Sequence, residues 1–448
     1  MAIFNANKRS KRGRDIKRSS GPGELKTLVV HDLSNEAQGV ARDDDGVVFI
    51  EGALPDEKVE ALISEQRRRF ALAKIKRIVE ASANRVEPLC RHYQRCGGCQ
   101  LQHLSSQHQI PYKQNNLQHE FASKLKIDSA PWQTPITGDA YGYRRRARIG
   151  IRYRHKTGEV IVGFREQQNS HLTDISECPV LVSELQNLIP SLKSVLKKVQ
   201  KVEVVTQAQL LAGDDLSVVS LRAIKSLPQS DKQILIEWAK SEAVQLDIQG
   251  DDAIETLFQP NDKTLWFNVA GMRIHFASNS FIQANGRVNE QMVQTALQWL
   301  NVKAHETVLD LFAGLGNFTL PLAQHAKRVC AVELDKKMVA DLQHNAQRNE
   351  LSNVDVQLGN LDNLDAVERL SAADVIVLDP PRAGAAVIMP WVAKQKSRVL
   401  YVACEPSSLI RDAAVLVESG FKLDKVVVLD MFPQTKHVET MALFSPPS

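Results

Sequence analysis

Thr307-Val308-Leu309-Asp310-Leu311-Phe312-Ala313-Gly314-Leu315-Gly316-Asn317 reads as a buried strand running into a glycine loop, with a helix expected from Thr319 to His325. A strand, a glycine-rich turn and a helix in that order form the first unit of an open α/β sheet. The same rhythm continues downstream. A strand over Arg328 to Val332 ends at Glu333, and a helix follows from Lys336 to Asn349. Val354 to Leu358 ends at Gly359-Asn360, and Asp374 to Leu378 ends at Asp379-Pro380-Pro381-Arg382. Val399 to Ala403 ends at Cys404, ahead of Pro406 and a helical pattern from Leu409 to Glu418. Two long strands, Lys422 to Asp430 and Val438 to Phe444, come last. The alternation predicts a doubly wound, mostly parallel sheet with a terminal antiparallel hairpin.

Ligands bind such sheets at the carboxyl ends of the strands. A glycine loop plus an acid at the end of the second strand suits an adenosine cofactor, the carboxylate taking the ribose hydroxyls. A dinucleotide fingerprint asks for a third glycine opening the helix; here Thr319 stands in its place. With no diphosphate to seat, S-adenosylmethionine (SAM) fits better than NAD. Cys404 would lie in the same cleft, where a helix N-terminus favours a thiolate. The plainer alternative is a small buried core residue.

The 448 residues have room for about three domains, and 43% are hydrophobic. No run approaches the ~20 apolar residues of a membrane span. Residues 1–20 are basic but lack the apolar segment of a secretory signal. Six cysteines in so long a chain do not suggest a disulfide scaffold, so a reduced, cytoplasmic protein is expected. Net charge is +4, yet residues 1–23 alone carry a net +6. Such a basic arm suits a nucleic-acid contact, or is a solvated tail.

Past Gly21-Pro22-Gly23, short strands around Leu28–Val30, Gly39–Arg42, Val47–Ile50, Val59–Ile63 and Ala71–Val79 predict a small OB-like barrel with Arg67-Arg68-Arg69 at a hairpin tip. Then Cys90, Cys96 and Cys99 fall within ten residues, with Cys178, followed by proline, as the candidate fourth ligand. Thiolates in this grouping call for zinc or iron–sulfur, and a remote cysteine before proline leans toward iron–sulfur. Gly97-Gly98 would let amides approach the sulfurs. Tyr141 to Arg154 interleaves arginines and tyrosines on an alternating pattern, suited to phosphate contacts and base stacking. Val180 to about Asp262 carries no legible chemistry.

His31-Asp32-Leu33-Ser34, Gly39-Val40-Ala41-Arg42 and Phe49-Ile50-Glu51-Gly52-Ala53-Leu54-Pro55 resemble a TRAM domain, which implies RNA binding. Together with Asp379-Pro380-Pro381 and Cys404, nearly the whole chain resembles the bacterial uracil-C5 RNA methyltransferases, most closely the branch acting on 23S rRNA. The tRNA branch typically lacks both TRAM domain and cluster. The resemblance implies a basic arm over 1–22, a TRAM domain over 23–80, a central domain over 81–268 and a SAM-dependent methyltransferase domain over 269–448. A [4Fe-4S] cluster would sit on Cys90, Cys96, Cys99 and Cys178. SAM would be held by Gln283, Phe312, Asn317, Glu333 and Asn360, with Asp379 between SAM and uracil. Cys404 would be the nucleophile and Glu439, in Phe432-Pro433-Gln434-Thr435-Lys436-His437-Val438-Glu439, the base. The partner would be a flipped-out uridine of 23S rRNA, with no membrane and no obligate protein partner. One departure stands out: the family's Ser-Cys-Asn-Pro is Ala403-Cys404-Glu405-Pro406 here. A carboxylate facing the cleft beside the thiol would raise its pKa.

Overall fold

The computed structural model describes residues 23–127, 129–167, 169–250, 253–363 and 367–447; the basic arm lies outside the described residues. The chain divides into two compact units, with the boundary between Arg85 and Val86.

The first unit is a closed barrel of five strands, Leu25–Leu33, Gln38–Asp43, Gly46–Glu51, Lys58–Gln66 and Phe70–Glu80. Its interior is narrow, and much of it is small: Ala41, Ala53, Ala61, Ala71 and Ala73 pack with Val30, Val48, Ile50 and Val59. Gly39 is required here, because a Cβ would meet Ala53 Cβ at 2.7 Å. The buried Glu57 accepts from both Arg85 Nε (2.5 Å) and Nη2 (2.9 Å) and from the Leu54 amide (2.9 Å). These bonds compensate a charge that would be costly alone.

The second unit holds two seven-stranded sheets and a small hairpin. The central sheet runs Ile254–Phe258, Gln245–Gln249, Ser217–Ala223, Val205–Ala212, Arg146–Arg154, Glu159–Arg165 and Leu172–Asp174. Helices Leu188–Leu196 and Gln229–Glu242 bury its apolar face. Along Arg146–Arg154, Ala147, Ile149 and Ile151 are buried while Arg148, Arg152 and Arg154 are exposed, the period-two pattern of a half-buried strand. One tyrosine of that motif reads differently: Tyr143 is buried and donates to the Pro433 carbonyl (2.9 Å), so it is a structural tie and not a stacking platform, while Tyr141 and Tyr153 stay half-buried.

The C-terminal sheet runs Val354–Leu358, Arg328–Glu333, Thr307–Leu311, Val375–Leu378, Arg398–Ala403, Glu439–Ser445 and Lys422–Leu429. The first five are parallel, and Glu439–Ser445 runs antiparallel to both its neighbours. Helices Gly286–Leu300 and Lys336–Arg348 contribute to one apolar layer, Pro406–Glu418 to another. Leu117 and Phe121, from helix Ser106–Glu120 and the π-turn after it, enter the second layer. The outer strand's edge is not left open: the Gln133 amide donates to Val426 O (2.8 Å) and the Ile136 amide to Val428 O (2.9 Å). Covering an edge this way prevents pairing with other chains.

Candidate active site

Because five parallel strands end along one edge, Phe312, Glu333, Asn360, Asp379 and Cys404 all follow or close strand ends there. The antiparallel strand brings its first residue, Glu439, to that same edge. Ala403 pairs with Thr440; one residue further in that register, Cys404 stands abreast of Glu439.

On the cofactor side, Glu333 is fully oriented by backbone. Its Oε2 accepts from the Gly314 amide (2.9 Å), and Oε1 accepts from Leu334 (2.8 Å) and Asp335 (2.9 Å). Asn317 exchanges two 2.9 Å hydrogen bonds with the buried Asn289. Phe312 has φ +66°, a left-handed conformation costly for an aromatic residue and often kept at functional sites. Gly316 packs against helix Lys336–Arg348, where a Cβ would meet Leu342 Cδ1 at 2.3 Å; at Gly314 a Cβ would meet nothing within 4 Å. The open space over Gly314 is the cradle a cofactor needs, so these residues fit SAM. Asn360 is exposed, with Oδ1 accepting from the Asp362 amide (3.0 Å). Gln283 contributes its carbonyl to Arg145 Nε (2.9 Å), while its side chain makes no hydrogen bond among the described residues.

On the thiol side the groups are desolvated. Burial pushes the Asp379 carboxyl up to about 7, and burial with the Asp379 charge pushes Glu439 up to about 8. Among the described residues no donor reaches either carboxylate. Cys404 is raised by burial first, then by Glu439 and Asp379, with Arg382 opposing. The helix end expected to favour its thiolate is therefore outweighed. Glu405 is not the main cause: it occupies the N-cap position of helix Pro406–Glu418 and accepts from Ser407 Oγ (3.2 Å).

A second layer was not foreseen from sequence. The buried Asp412 accepts from the Ala385 amide (2.6 Å), Tyr401 hydroxyl (2.6 Å) and Arg411 Nε (2.8 Å), and Arg411 Nη2 donates to Ala383 O (2.8 Å). This ties the Asp379–Ala385 loop to the Cys404 strand and helix. Gly384, at φ +78°, leaves room for that tie; a Cβ would lie 2.4 Å from Arg411 Nη2. The available signal was an aspartate at an apolar position of the last helix.

Cys90, Cys96, Cys99 and Cys178 are free and partly buried. Among the described residues no three His, Cys, Asp or Glu side chains form a ready-made metal site. The thiols nonetheless share one neighbourhood, since Cys90, Cys96 and Cys99 each raise the Cys178 pKa, though burial does so most. Amides are aimed at the sulfurs: Gly98 lies 3.4 Å from Cys96 Sγ, His92 and Tyr93 act on Cys90, and Val180 acts on Cys178. Four soft donors with amide support fit an iron–sulfur group. Cys330, raised to about 11 chiefly by burial, packs against the catalytic core, away from this set.

A family model described as tRNA (Uracil-5-)-methyltransferase matches residues 106–446, and a TRAM domain model matches residues 20–76. The 23S rRNA (uracil(1939)-C(5))-methyltransferase RlmD of Shewanella woodyi is 39% identical over 422 residues, covering 93% of this chain and 95% of its own. The enzyme of the same name from Yersinia enterocolitica is 40% identical, covering 93% and 94%. Among solved structures, Pyrococcus abyssi tRNA (uracil-54, C5)-methyltransferase with S-adenosyl-L-homocysteine superposes with a TM-score of 0.71 at 20% identity, covering 94% of this chain and 100% of that one. At that identity the likeness speaks for the fold alone.

Proposed function

Since the chain belongs to the tRNA (uracil-5-)-methyltransferase family of SAM-dependent RNA uracil-C5 methyltransferases, we propose that its substrate is one uridine of 23S rRNA, the 1939 position named for its relatives. Uracil C5 is too weak a nucleophile to take a methyl group unaided. The Cys404 thiolate adds to C6, which makes C4–C5 an enolate; C5 then takes the sulfonium methyl, and S-adenosylhomocysteine leaves. Glu439 removes the C5 proton, and β-elimination frees Cys404. The base must be flipped from its stack to reach all three groups. Gln283, Phe312, Asn317, Glu333 and Asn360 hold SAM; Asp379, between Glu439 and the cofactor wall, orients the uracil.

The observation that carries this reading is the thiol and carboxylate standing abreast at the sheet edge beside the glycine cradle. Relatives named for 23S rRNA, aligned over nine-tenths of the chain at 39–40% identity, favour rRNA over tRNA. The division of labour would follow the domains: barrel and arginine strand for RNA, the last domain for chemistry. Labelled SAM with 23S rRNA fragments gives 5-methyluridine, and rRNA outcompetes tRNA; preference for tRNA overturns the substrate. A [4Fe-4S] cluster on Cys90, Cys96, Cys99 and Cys178 would serve structure and RNA placement, as no redox step occurs in the reaction. An anaerobic preparation is then brown, whereas a colourless one containing zinc rejects the cluster.

A further inference from the structure

Glu439 is aimed by its backbone, since no donor among the described residues holds its carboxylate. That backbone emerges from the turn after Lys422–Leu429; Tyr143 holds the turn at the Pro433 carbonyl, and Gln434 beside it is gripped through every polar group it has. Gln434 is buried and held at φ +68°, a conformation unfavourable for any residue but glycine. Its amide donates to Gln109 Oε1 (2.9 Å), while Gln109 Nε2 donates to Gln434 Oε1 (3.0 Å). Gln434 Nε2 reaches Ser106 Oγ (3.2 Å) and Ala140 O (3.4 Å). Its carbonyl accepts the amides of Gln100 and Leu101, both at 3.0 Å, directly after Cys99. The flanks are also tied: the buried Lys113 ammonium donates to Asp430 Oδ1 (2.8 Å) and Phe432 O (3.2 Å).

We propose that Gln434 is a positioning residue for Glu439, and that the cysteine loop acts on the chemistry through it. The proposal rests on the reading of Glu439 as the base. A strained residue with every polar group engaged fixes the turn, and so fixes the height at which the final strand starts. Loosening it misplaces the carboxylate by a fraction of an ångström to an ångström, enough for about a 100-fold loss of rate. The thiol and the cofactor wall lie on other strands and keep their places.

The test is Gln434→Ala in the full chain with uridine RNA. We expect kcat to fall about 100-fold with KM for SAM unchanged. A denaturant-stable protein–RNA adduct should accumulate, because thiol addition and methyl transfer proceed while proton removal lags. Gln109→Leu, which removes the same bonds from the other side, should behave alike. Gln434→Gly eases the backbone but lacks the side chain, and should remain slow. Unchanged kcat with a raised KM for RNA, a slow variant without adduct, or recovery in Gln434→Gly would each overturn the proposal. Should the unaltered protein form no adduct with 5-fluorouridine RNA and SAM, the assignment of Cys404 and Glu439 fails first, and this proposal with it.

Discussion

On the cofactor side of the cleft, Glu333 accepts three backbone amides and Asn317 is bracketed by Asn289. Across from it, Asp379 is half-buried and Glu439 buried, neither with a donor from the described residues, and their pKa values rise to about 7 and 8. On one wall Glu333 and Asn317 are satisfied before anything binds. The other carries the cost of desolvated carboxylates until a substrate supplies partners. Binding a cofactor that must be exchanged every turnover calls for a preformed seat. Proton removal calls for a base whose pKa lies near the working pH.

That contrast can be broken at several points. Cys404→Ala should abolish both methylation and the 5-fluorouridine adduct; retained turnover would move the nucleophile elsewhere. Glu439→Gln should lower kcat by about 10²–10⁴-fold and let the adduct accumulate, while SAM binding by calorimetry stays intact. In the unaltered enzyme kcat should rise with pH through about 8, because Glu439, as the proposed base, must be ionised to act and is raised to about 8. A pH-independent rate between 6 and 9 would contradict the desolvated wall. By contrast Glu333→Gln should raise KM for SAM by about 10-fold, the scale of one charged hydrogen bond, and leave kcat alone.

The smallest effect is the most discriminating. In the folded protein Glu439 keeps its proton to about pH 8, whereas its ordinary value is 4.5. Between those values the native state holds the extra proton, so its contribution to stability falls as pH rises. Glu439→Gln should therefore melt higher than the parent at pH 9, by roughly 1–2 °C for each kcal/mol recovered, and the gain should vanish below pH 5. Glu333→Gln should show no such gain at pH 9. Thermal melts of the two variants at both pH values decide it.

The C-terminal sheet was legible because four of its five parallel strands are short, mostly apolar runs ending in a distinctive residue, as Leu311 gives way to Phe312 and Leu378 to Asp379; the edge strand Val354–Leu358 instead alternates with Asp355 and Gln357. Glu439 stood out as an acid in an apolar strand, and the register of that strand sets it abreast of Cys404. What sequence could not give was the balance at Cys404. Local reading weighed the helix start and Glu405, yet burial, Glu439 and Asp379 decide its pKa, and the two carboxylates come from other strands. The clamp at Gln434 was hidden for a related reason: its partner Gln109 lies 325 residues away. Tyr143 shows the converse, a residue whose pattern suited RNA but whose hydroxyl is spent on Pro433.

The pairing of Ala403 with Thr440 has a genetic corollary. Side chains alternate between the two faces of a sheet with period two. Loss of a single codon from the stretch encoding residues 440–445 would preserve hydrophobicity and very nearly length. It would nonetheless either turn the Glu439 carboxylate, the proposed proton acceptor, to the opposite surface or slide it away from the sulfur. Frame-preserving lesions there should behave as nulls, where swaps among leucine, methionine and valine pass almost unnoticed.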